Sequence, residues 1–120
     1  MQTKVKSYMV NRDDRGGMIG VVNSGEWREV NYVTTKQGAV RGNHYHKRCR
    51  ELVFVIEGRV HVTLSNARAS DERRQLTLVS GEGVVLDPYT LHAMTYEEDT
   101  TQISLLDHPF DPNHPDLHTV

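Results

Sequence analysis

Short runs of β-branched and aromatic residues, separated by turn-forming residues, restrict the fold of this sequence more than any other feature. Val60, Val62 and Leu64 alternate with polar residues, which is the period of two expected for a strand with two different faces. Turn-forming residues fill 65–72, and 71–75 has room for one turn of helix. The apolar runs predict strands over residues 29–35, 51–57, 59–65, 75–79, 83–87 and 101–106. Many short strands without a clear helix predict an all-β sandwich or barrel.

Length predicts one domain, and the single cysteine predicts a cytoplasmic location. The 120 residues suffice for one core, and 14 basic against 16 acidic residues give a net charge of −2, which argues against nucleic-acid binding. We expect no membrane span and no secretory signal, because no apolar run is long enough. Cys49 is the only cysteine, so no intrachain disulfide forms and a reducing compartment is expected. We expect a single domain, 1–120, with residues 1–25 as an N-terminal arm and first strands, and a proline-rich tail, 107–120, on the surface.

Two histidines one residue apart, with a glutamate five residues later, are the main candidates for chemistry. Residues i and i+2 of a strand point to the same side, so His44 and His46 would present both rings to one face. Glu51 opens the next predicted strand, and His92 begins another one after a turn. Three imidazoles and a carboxylate suit a divalent ion such as Zn²⁺, Fe²⁺, Ni²⁺ or Mn²⁺. An HxH pair alone is more typical of a polar surface than of a metal site, so the surrounding spacing decides between these interpretations.

That spacing follows a known motif. Between positions 38 and 58 the chain reads glycine, five residues, HYH, four residues, glutamate, six residues, glycine, which resembles the first motif of the cupin superfamily at every defined position. Residues 81–94 resemble the second cupin motif, although a threonine replaces the usual glycine and the proline-to-histidine gap is one residue shorter. The resemblance implies a small single-domain jelly-roll barrel, with the three histidines and the glutamate as metal ligands.

Three further stretches narrow the resemblance to cupins of the sugar-nucleotide type. They are DDRGGMIGV at 13–21, GAVRGNHYH at 38–46 and FDPNHPD at 110–116. In this order they are similar to segments of dTDP-4-dehydrorhamnose 3,5-epimerases, of dTDP-sugar 3,4-ketoisomerases and of the C-terminal cupin of capsular polysaccharide epimerase/reductases. The resemblance implies a nucleotide-linked 4-keto sugar as the small-molecule substrate, an epimerase or ketoisomerase activity in polysaccharide synthesis, and a homodimer.

Such a reaction moves a proton on the carbon next to a ketone, so it needs a base and a group that stabilises the enolate. In the rhamnose epimerases the base is the histidine that corresponds to His44, and those enzymes need no metal. A histidine bound to a metal cannot also accept a proton, so His44 is either a ligand or the base. If His44 is a ligand, the candidate bases are Tyr96, His61 and Tyr32, all on predicted strands.

Substrate binding requires cations for the diphosphate. The resemblance assigns Arg41 and Arg15 to this role, because a guanidinium group pairs well with phosphate oxygens. Tyr32 is a further candidate for substrate binding. The histidines at 108, 114 and 118 are expected to face solvent, and Cys49 is expected in a loop.

Two other functions are compatible with the same residues. A metal-dependent oxygenase or lyase acting on a small organic acid would use the same ligand set, since three histidines and a glutamate can leave open positions on the metal. A non-catalytic barrel that binds a small molecule is the other alternative, because the cupin fold does not by itself determine a function.

Overall fold

The computed structural model describes residues 4–120, including every side chain except those at 70 and 71. Within this range the fold is built from β-strands, and no helix is long and apolar enough to cross a membrane. The strands are β1 Lys4–Lys6, β2 Met9–Asp13, β3 Gly16–Gly20, β4 Glu29–Thr35, β5 Val40–His44, β6 Glu51–Glu57, β7 Arg59–Asn66, β8 Ala69–Val79, β9 Glu82–Leu86, β10 Thr90–Tyr96 and β11 Thr100–Leu106.

The strands form two main antiparallel sheets and one hairpin. The first sheet has the order β1-β9-β6-β11-β4, and the second has the order β5-β10-β7-β8. Strands β2 and β3 pair only with each other among the described strands and form an arm. Neighbours in the sheets are mostly distant in sequence, as in a jelly roll, where the chain alternates between sheets. The predicted all-β jelly-roll fold is therefore confirmed.

The hydrophobic core lies between the two sheets. From β7, Val60, Val62 and Leu64 are fully buried, so the alternation seen in the sequence does mark the inner face of that strand. On the other sheet, Val53 and Val55 of β6 are also fully buried and belong to the same core cluster. This core fixes the separation of the sheets and thereby the space that remains between them.

The strand predictions were accurate for the central strands and wrong in one hairpin. Strands β4 and β6 have the predicted bounds, whereas the predicted turn at 65–72 and the possible helical turn at 71–75 are largely strand. Only residues 67–68 lie between β7 and β8. Strand β8 is at the edge of its sheet, and the described residues of its first half are exposed. It is therefore held by backbone hydrogen bonds to β7 without the apolar residues by which sequence patterns reveal a strand.

Candidate active site and metal centre

A cavity of about 480 Å³ opens between the two sheets. Strands β4, β5, β6, β10 and β11 form its walls, and the C-terminal tail after β11 covers part of it. Arg41 and Tyr96 line this cavity. So do all the predicted metal ligands, His44, His46, Glu51 and His92. The fold thus brings most of the predicted site together.

Three histidines form a compact cluster in this cavity. The ligand atoms of His44, His46 and His92 all lie within 4.8 Å of one another. His44 is the last residue of β5 and pairs with His92 of β10 across the sheet, while His46 lies beyond the end of β5. The prediction that both histidines of the HxH pair lie on a strand is therefore wrong for His46, although both rings reach the same cluster.

A glycine allows β5 and β10 to approach closely at this cluster. Gly42 has a φ of +87°, and a Cβ atom there would lie 2.8 Å from the carbonyl oxygen of His92. A side chain at this position would thus be strained by its backbone conformation and by the neighbouring strand. The close approach places His44 directly beside His92, with their ring centroids 4.6 Å apart.

Backbone carbonyls orient the imidazole rings. Nδ1 of His46 donates to the carbonyl oxygen of Asp116 (2.7 Å), and Nδ1 of His92 donates to the carbonyl oxygen of Thr90 (3.1 Å). Since Nδ1 is occupied in both rings, Nε2 is the atom through which each ring would bind a metal, and outer partners usually orient metal-binding histidines in this way. Burial lowers the pKa of His92 to about 4, so this ring is neutral at pH 7 and has a free lone pair.

Glu51 contacts the cluster through one histidine. Its Oε1 lies 3.1 Å from Nε2 of His46, but Glu51 is not part of the group whose ligand atoms are all within 4.8 Å of one another. Burial lowers the pKa of His46, yet the hydrogen bonds to Glu51 and to the carbonyl of Asp116 outweigh it and raise that pKa. Three imidazoles with an adjacent carboxylate nevertheless fit a borderline divalent ion such as Zn²⁺, Fe²⁺, Ni²⁺ or Mn²⁺.

Hydrogen bonds connect several polar residues that line the cavity or lie next to it. Nε of Arg41 donates to Oγ1 of Thr35 (2.8 Å), and the nearby Thr35 acts to lower the pKa of the Tyr96 hydroxyl, against the larger effect of burial. That hydroxyl donates to Oε1 of Gln102, whose Nε2 donates to Oγ of Ser104 (3.2 Å). Burial raises the pKa of Tyr96, so its phenol is protonated at neutral pH.

Sequence analysis did not identify Thr35, Gln102 and Ser104, which are buried and take part in these hydrogen bonds. A signal was present, because Gln102 and Ser104 are polar residues two positions apart that alternate with the apolar residues Ile103 and Leu105. Two such residues on one face of a buried strand indicate that this face borders something other than the apolar core.

The C-terminal tail contributes a residue that sequence analysis also missed. The carboxylate of Asp116 accepts hydrogen bonds from the backbone N–H groups of Lys47, Arg48 and Cys49, at 2.8, 2.8 and 2.9 Å. Burial opposes the charge of Asp116, but these bonds and one from His118 hold the pKa of this carboxyl well below its usual range. Cys49 lies in the predicted loop and is buried, and burial raises the pKa of its thiol to about 11.

Three predicted site residues lie outside the cavity. His61 is on the face of β7 opposite to the core residues, and Tyr32 is 74% exposed on the face of β4 opposite to the cavity-lining Asn31. Arg15 lies in the turn of the β2–β3 arm, where its guanidinium pairs with Asp13 at 2.6 Å. Strand parity determines the first two positions, since neighbouring residues on a strand face opposite sides.

The tail histidines differ in their surroundings. His108 and His114 are mostly exposed, as expected, but both border the mouth of the cavity. His118 does not face solvent fully, because its Nε2 lies 3.0 Å from Oδ1 of Asp116 and its ring packs against Tyr45. The expectation of a solvent-facing side chain is therefore wrong for His118.

A jelly roll with three histidines converging in the space between its sheets is the arrangement that the resemblance to cupins predicts. The chain belongs to the polysaccharide biosynthesis C-terminal domain family, whose sequence model matches residues 11–118. No curated protein sequence matches the chain significantly.

Solved structures confirm the predicted resemblance to sugar-nucleotide cupins. The dTDP-4-dehydrorhamnose 3,5-epimerase of Sulfolobus tokodaii has a TM-score of 0.81 and 21% identity, over 94% of this chain and 74% of that one. A 3,4-ketoisomerase from Thermoanaerobacterium thermosaccharolyticum has a TM-score of 0.78 and 22% identity, over 97% and 85% of the two chains. The capsular polysaccharide assembling protein CapF from Staphylococcus aureus has a TM-score of 0.71 and 26% identity, over 93% of this chain and 32% of that one.

Proposed function

We propose that this chain is a metal-binding cupin that acts on a nucleotide-linked 4-keto sugar as an epimerase or ketoisomerase. The observation that carries the proposal is the combination, in one cavity, of a buried phenol at Tyr96, a guanidinium at Arg41 and a cluster of three imidazoles. The ketoisomerase from Thermoanaerobacterium thermosaccharolyticum supports the substrate class, because a variant of it was crystallised with TDP-4-keto-6-deoxyglucose. Its fold is shared by this chain over 97% of the length.

The metal part of the proposal concerns the histidine cluster. His44, His46 and His92 would hold a divalent ion together with Glu51, and Zn²⁺, Fe²⁺, Ni²⁺ and Mn²⁺ all suit this donor set. When bound, such an ion supplies a Lewis acid that polarises the ketone of the substrate. In this assignment His44 is a ligand and cannot also be the base.

Tyr96 is then the proton-transferring residue that the cavity offers. Its hydroxyl is protonated because burial raises its pKa, and the hydrogen bond to Gln102 fixes its position. After its proton is lost to solvent, Oη would accept the proton from the carbon next to the ketone, and the phenol formed in this way would return a proton to the enolate as the new C–H or O–H bond forms, which is general base and then general acid catalysis. Arg41, held by Thr35 at the cavity wall, would pair with the diphosphate through its remaining N–H groups.

The first test is deuterium exchange from D₂O into TDP- and UDP-4-keto-6-deoxyglucose. We expect the metal-loaded wild type to exchange a proton next to the ketone, because an enolate forms reversibly. Removal of the metal by a chelator and the substitution His44→Ala should each abolish exchange. His61→Ala serves as the matched control, since His61 lies outside the cavity, and it should exchange as the wild type does.

Each part of the proposal has its own contrary result. A chelated wild type that exchanges at the full rate would show that no metal is needed and would make His44 the base. A metal-loaded protein that exchanges no tested sugar would contradict the sugar-nucleotide function. Oxygen uptake with an organic acid, or tight ligand binding without turnover, would then favour one of the two alternative functions.

We also propose that the protein is a homodimer formed through β4. This strand is at the edge of the five-stranded sheet, and it carries two exposed apolar residues on one face, Val30 and Tyr32. An unpaired edge with an apolar face favours association. We expect light scattering to give twice the 13.7 kDa chain mass for the wild type, and the single chain mass for Val30→Glu.

Val40→Glu is the matched control for this prediction. Val40 and Val30 are both 64% exposed, but Val40 lies on β5, at the edge of the other sheet. Val40→Glu should therefore remain dimeric. A wild type that is monomeric at micromolar concentration, or a Val30→Glu protein that stays dimeric, would contradict the proposed interface.

A cytoplasmic location is also part of the proposal. It is supported by the absence of a second cysteine, which leaves Cys49 without an intrachain disulfide partner, and by burial of its thiol. Cell fractionation with an antibody against the native protein would test the location, and recovery in the periplasmic or extracellular fraction would contradict it.

A further inference from the structure

The C-terminal tail forms several specific polar contacts with segment 45–49. Asp116 and His118 make all of their described polar contacts to this segment or to each other. Tyr45 and His118 form a β-bridge, in which the N–H of each donates to the carbonyl of the other at 2.9 and 3.0 Å. We call residues 116–118 the C-terminal clamp.

The carboxylate of Asp116 fixes the backbone that connects His46 to Glu51. Its Oδ1 accepts from the N–H of Lys47, and its Oδ2 accepts from the N–H groups of Arg48 and Cys49. Three consecutive N–H groups that converge on one carboxylate leave the loop little freedom, because bonds to a charged acceptor are strong. The distance between the imidazole of His46 and the carboxylate of Glu51 therefore depends on Asp116.

The backbone of Asp116 acts on the histidine directly. Its carbonyl oxygen accepts from Nδ1 of His46, which orients the ring so that its Nε2 faces Glu51 beside the histidine cluster. The carbonyl of His46 is held on another side by the N–H of Tyr89, at 2.7 Å. His46 lies beyond the end of β5, so it has no strand pairing of its own and relies on these outer partners.

We propose that Asp116 is a positioning residue of the metal centre, and that the C-terminal clamp completes this centre by orienting His46 and its loop. The inference rests on the metal site of the proposed function. Loss of such an outer partner usually weakens metal affinity about 10- to 100-fold. We expect Asp116→Ala to bind Co²⁺ more weakly by roughly that factor, measured by titration of the Co²⁺ d–d absorption of the full chain.

Asp99→Asn is the matched control. The carboxylate of Asp99 also accepts a backbone N–H from another loop, that of Gln37 at 2.8 Å, but Asp99 is outside the cavity. Its Co²⁺ affinity should equal that of the wild type. A pair of truncations makes the same comparison, because removal of 116–120 should weaken binding whereas removal of 119–120 should not. Wild-type Co²⁺ affinity in a folded Asp116→Ala protein would overturn the proposal.

A second measurement separates positioning from general destabilisation and needs no metal. In NMR spectra of the metal-free protein, the Nδ1–H protons of His46 and His92 should both exchange slowly, because each is bonded to a carbonyl. Asp116→Ala should speed exchange at His46 alone, since His92 is held by Thr90. Equal acceleration at both rings, or none at His46, would overturn the positioning role.

Two further outcomes are also decisive. If the wild type binds no Co²⁺, the metal site of the proposed function is contradicted, and the NMR comparison still decides whether the clamp positions His46. If Asp116→Ala does not fold, His118→Ala replaces it, because this change removes just one partner of the carboxylate. For this variant, unchanged Co²⁺ affinity together with unchanged exchange of the Nδ1–H proton of His46 would overturn the proposal.

Discussion

Replacing His92 with alanine should reduce the affinity of the protein for divalent metal by more than about 100-fold, beyond the usual effect of losing an outer partner. His92 is 3% exposed, and its Nδ1 is held by the carbonyl of Thr90, so its Nε2 is aimed at the other two rings. Without it, two imidazoles and one carboxylate remain, and one of these imidazoles is bonded to that carboxylate. Equilibrium dialysis with Zn²⁺ or Co²⁺ measures the loss directly.

His61→Ala is the control for this experiment. It also removes an imidazole from a strand of the second sheet, but on the face away from the cavity. Its metal content should match that of the wild type, and thermal unfolding should show that both variants are folded. A His92→Ala protein that keeps full metal content would contradict the assignment of the cluster as the metal centre.

The substitution Tyr96→Phe should lower deuterium exchange about 10²- to 10⁴-fold, the usual contribution of a positioned acid or base. The aromatic ring is 1% exposed and would keep its packing, so the change removes little more than the hydroxyl. Gln102 would lose its partner in a buried site, which should cost about 1–3 kcal/mol of the free energy of unfolding. The rate of deuterium exchange at saturating substrate measures the loss of catalysis, and urea unfolding measures the loss of stability.

Tyr32→Phe is the matched control for the loss of a hydroxyl. Tyr32 lies on the exposed face of β4, outside the cavity, and the phenylalanine keeps the apolar ring. Its exchange rate should equal that of the wild type. If Tyr96→Phe exchanges within tenfold of the wild type, Tyr96 is not the proton donor. A large loss of deuterium exchange in the Tyr32→Phe protein would instead make Tyr32 a candidate site residue again.

Much of the fold was predictable because the central strands are buried. Where a strand packs against the core on one or both faces, as β6 and β7 do, apolar residues are required and the sequence shows their pattern. The first half of β8 and the β2–β3 arm are exposed for most of their described residues, so backbone hydrogen bonds hold them and few apolar side chains mark them. Prediction failed where burial does not constrain the side chains.

The candidate site was predictable to the extent that it depends on side-chain identity. The spacing of the HxH pair and the glutamate identified His44, His46 and Glu51 as neighbours in the fold. The choice among Tyr96, His61 and Tyr32 needed the structure, because strand parity gives two faces and does not say which one borders the cavity. For His61 the buried alternate residues of β7 already indicated the face away from the core.

The role of Asp116 depends on its backbone as much as on its side chain. Its carbonyl oxygen bonds to His46, and any residue type has such an oxygen. The carboxylate is specific to aspartate, but its partners are N–H groups about 70 positions earlier in the chain, and no spacing rule connects the two segments. Contacts of this kind are visible only after the chain is folded.

The β-bridge between Tyr45 and His118 gives the tail a further property. Energetic coupling between two parts of a protein is reciprocal. If the contact of the tail with segment 45–49 stabilises the occupied cavity, then occupancy stabilises this contact by the same free energy. Residues 118–120, which do not line the cavity, would thus respond to its occupancy. A fluorophore attached near residue 120 would therefore report occupancy of the cavity through the β-bridge between Tyr45 and His118.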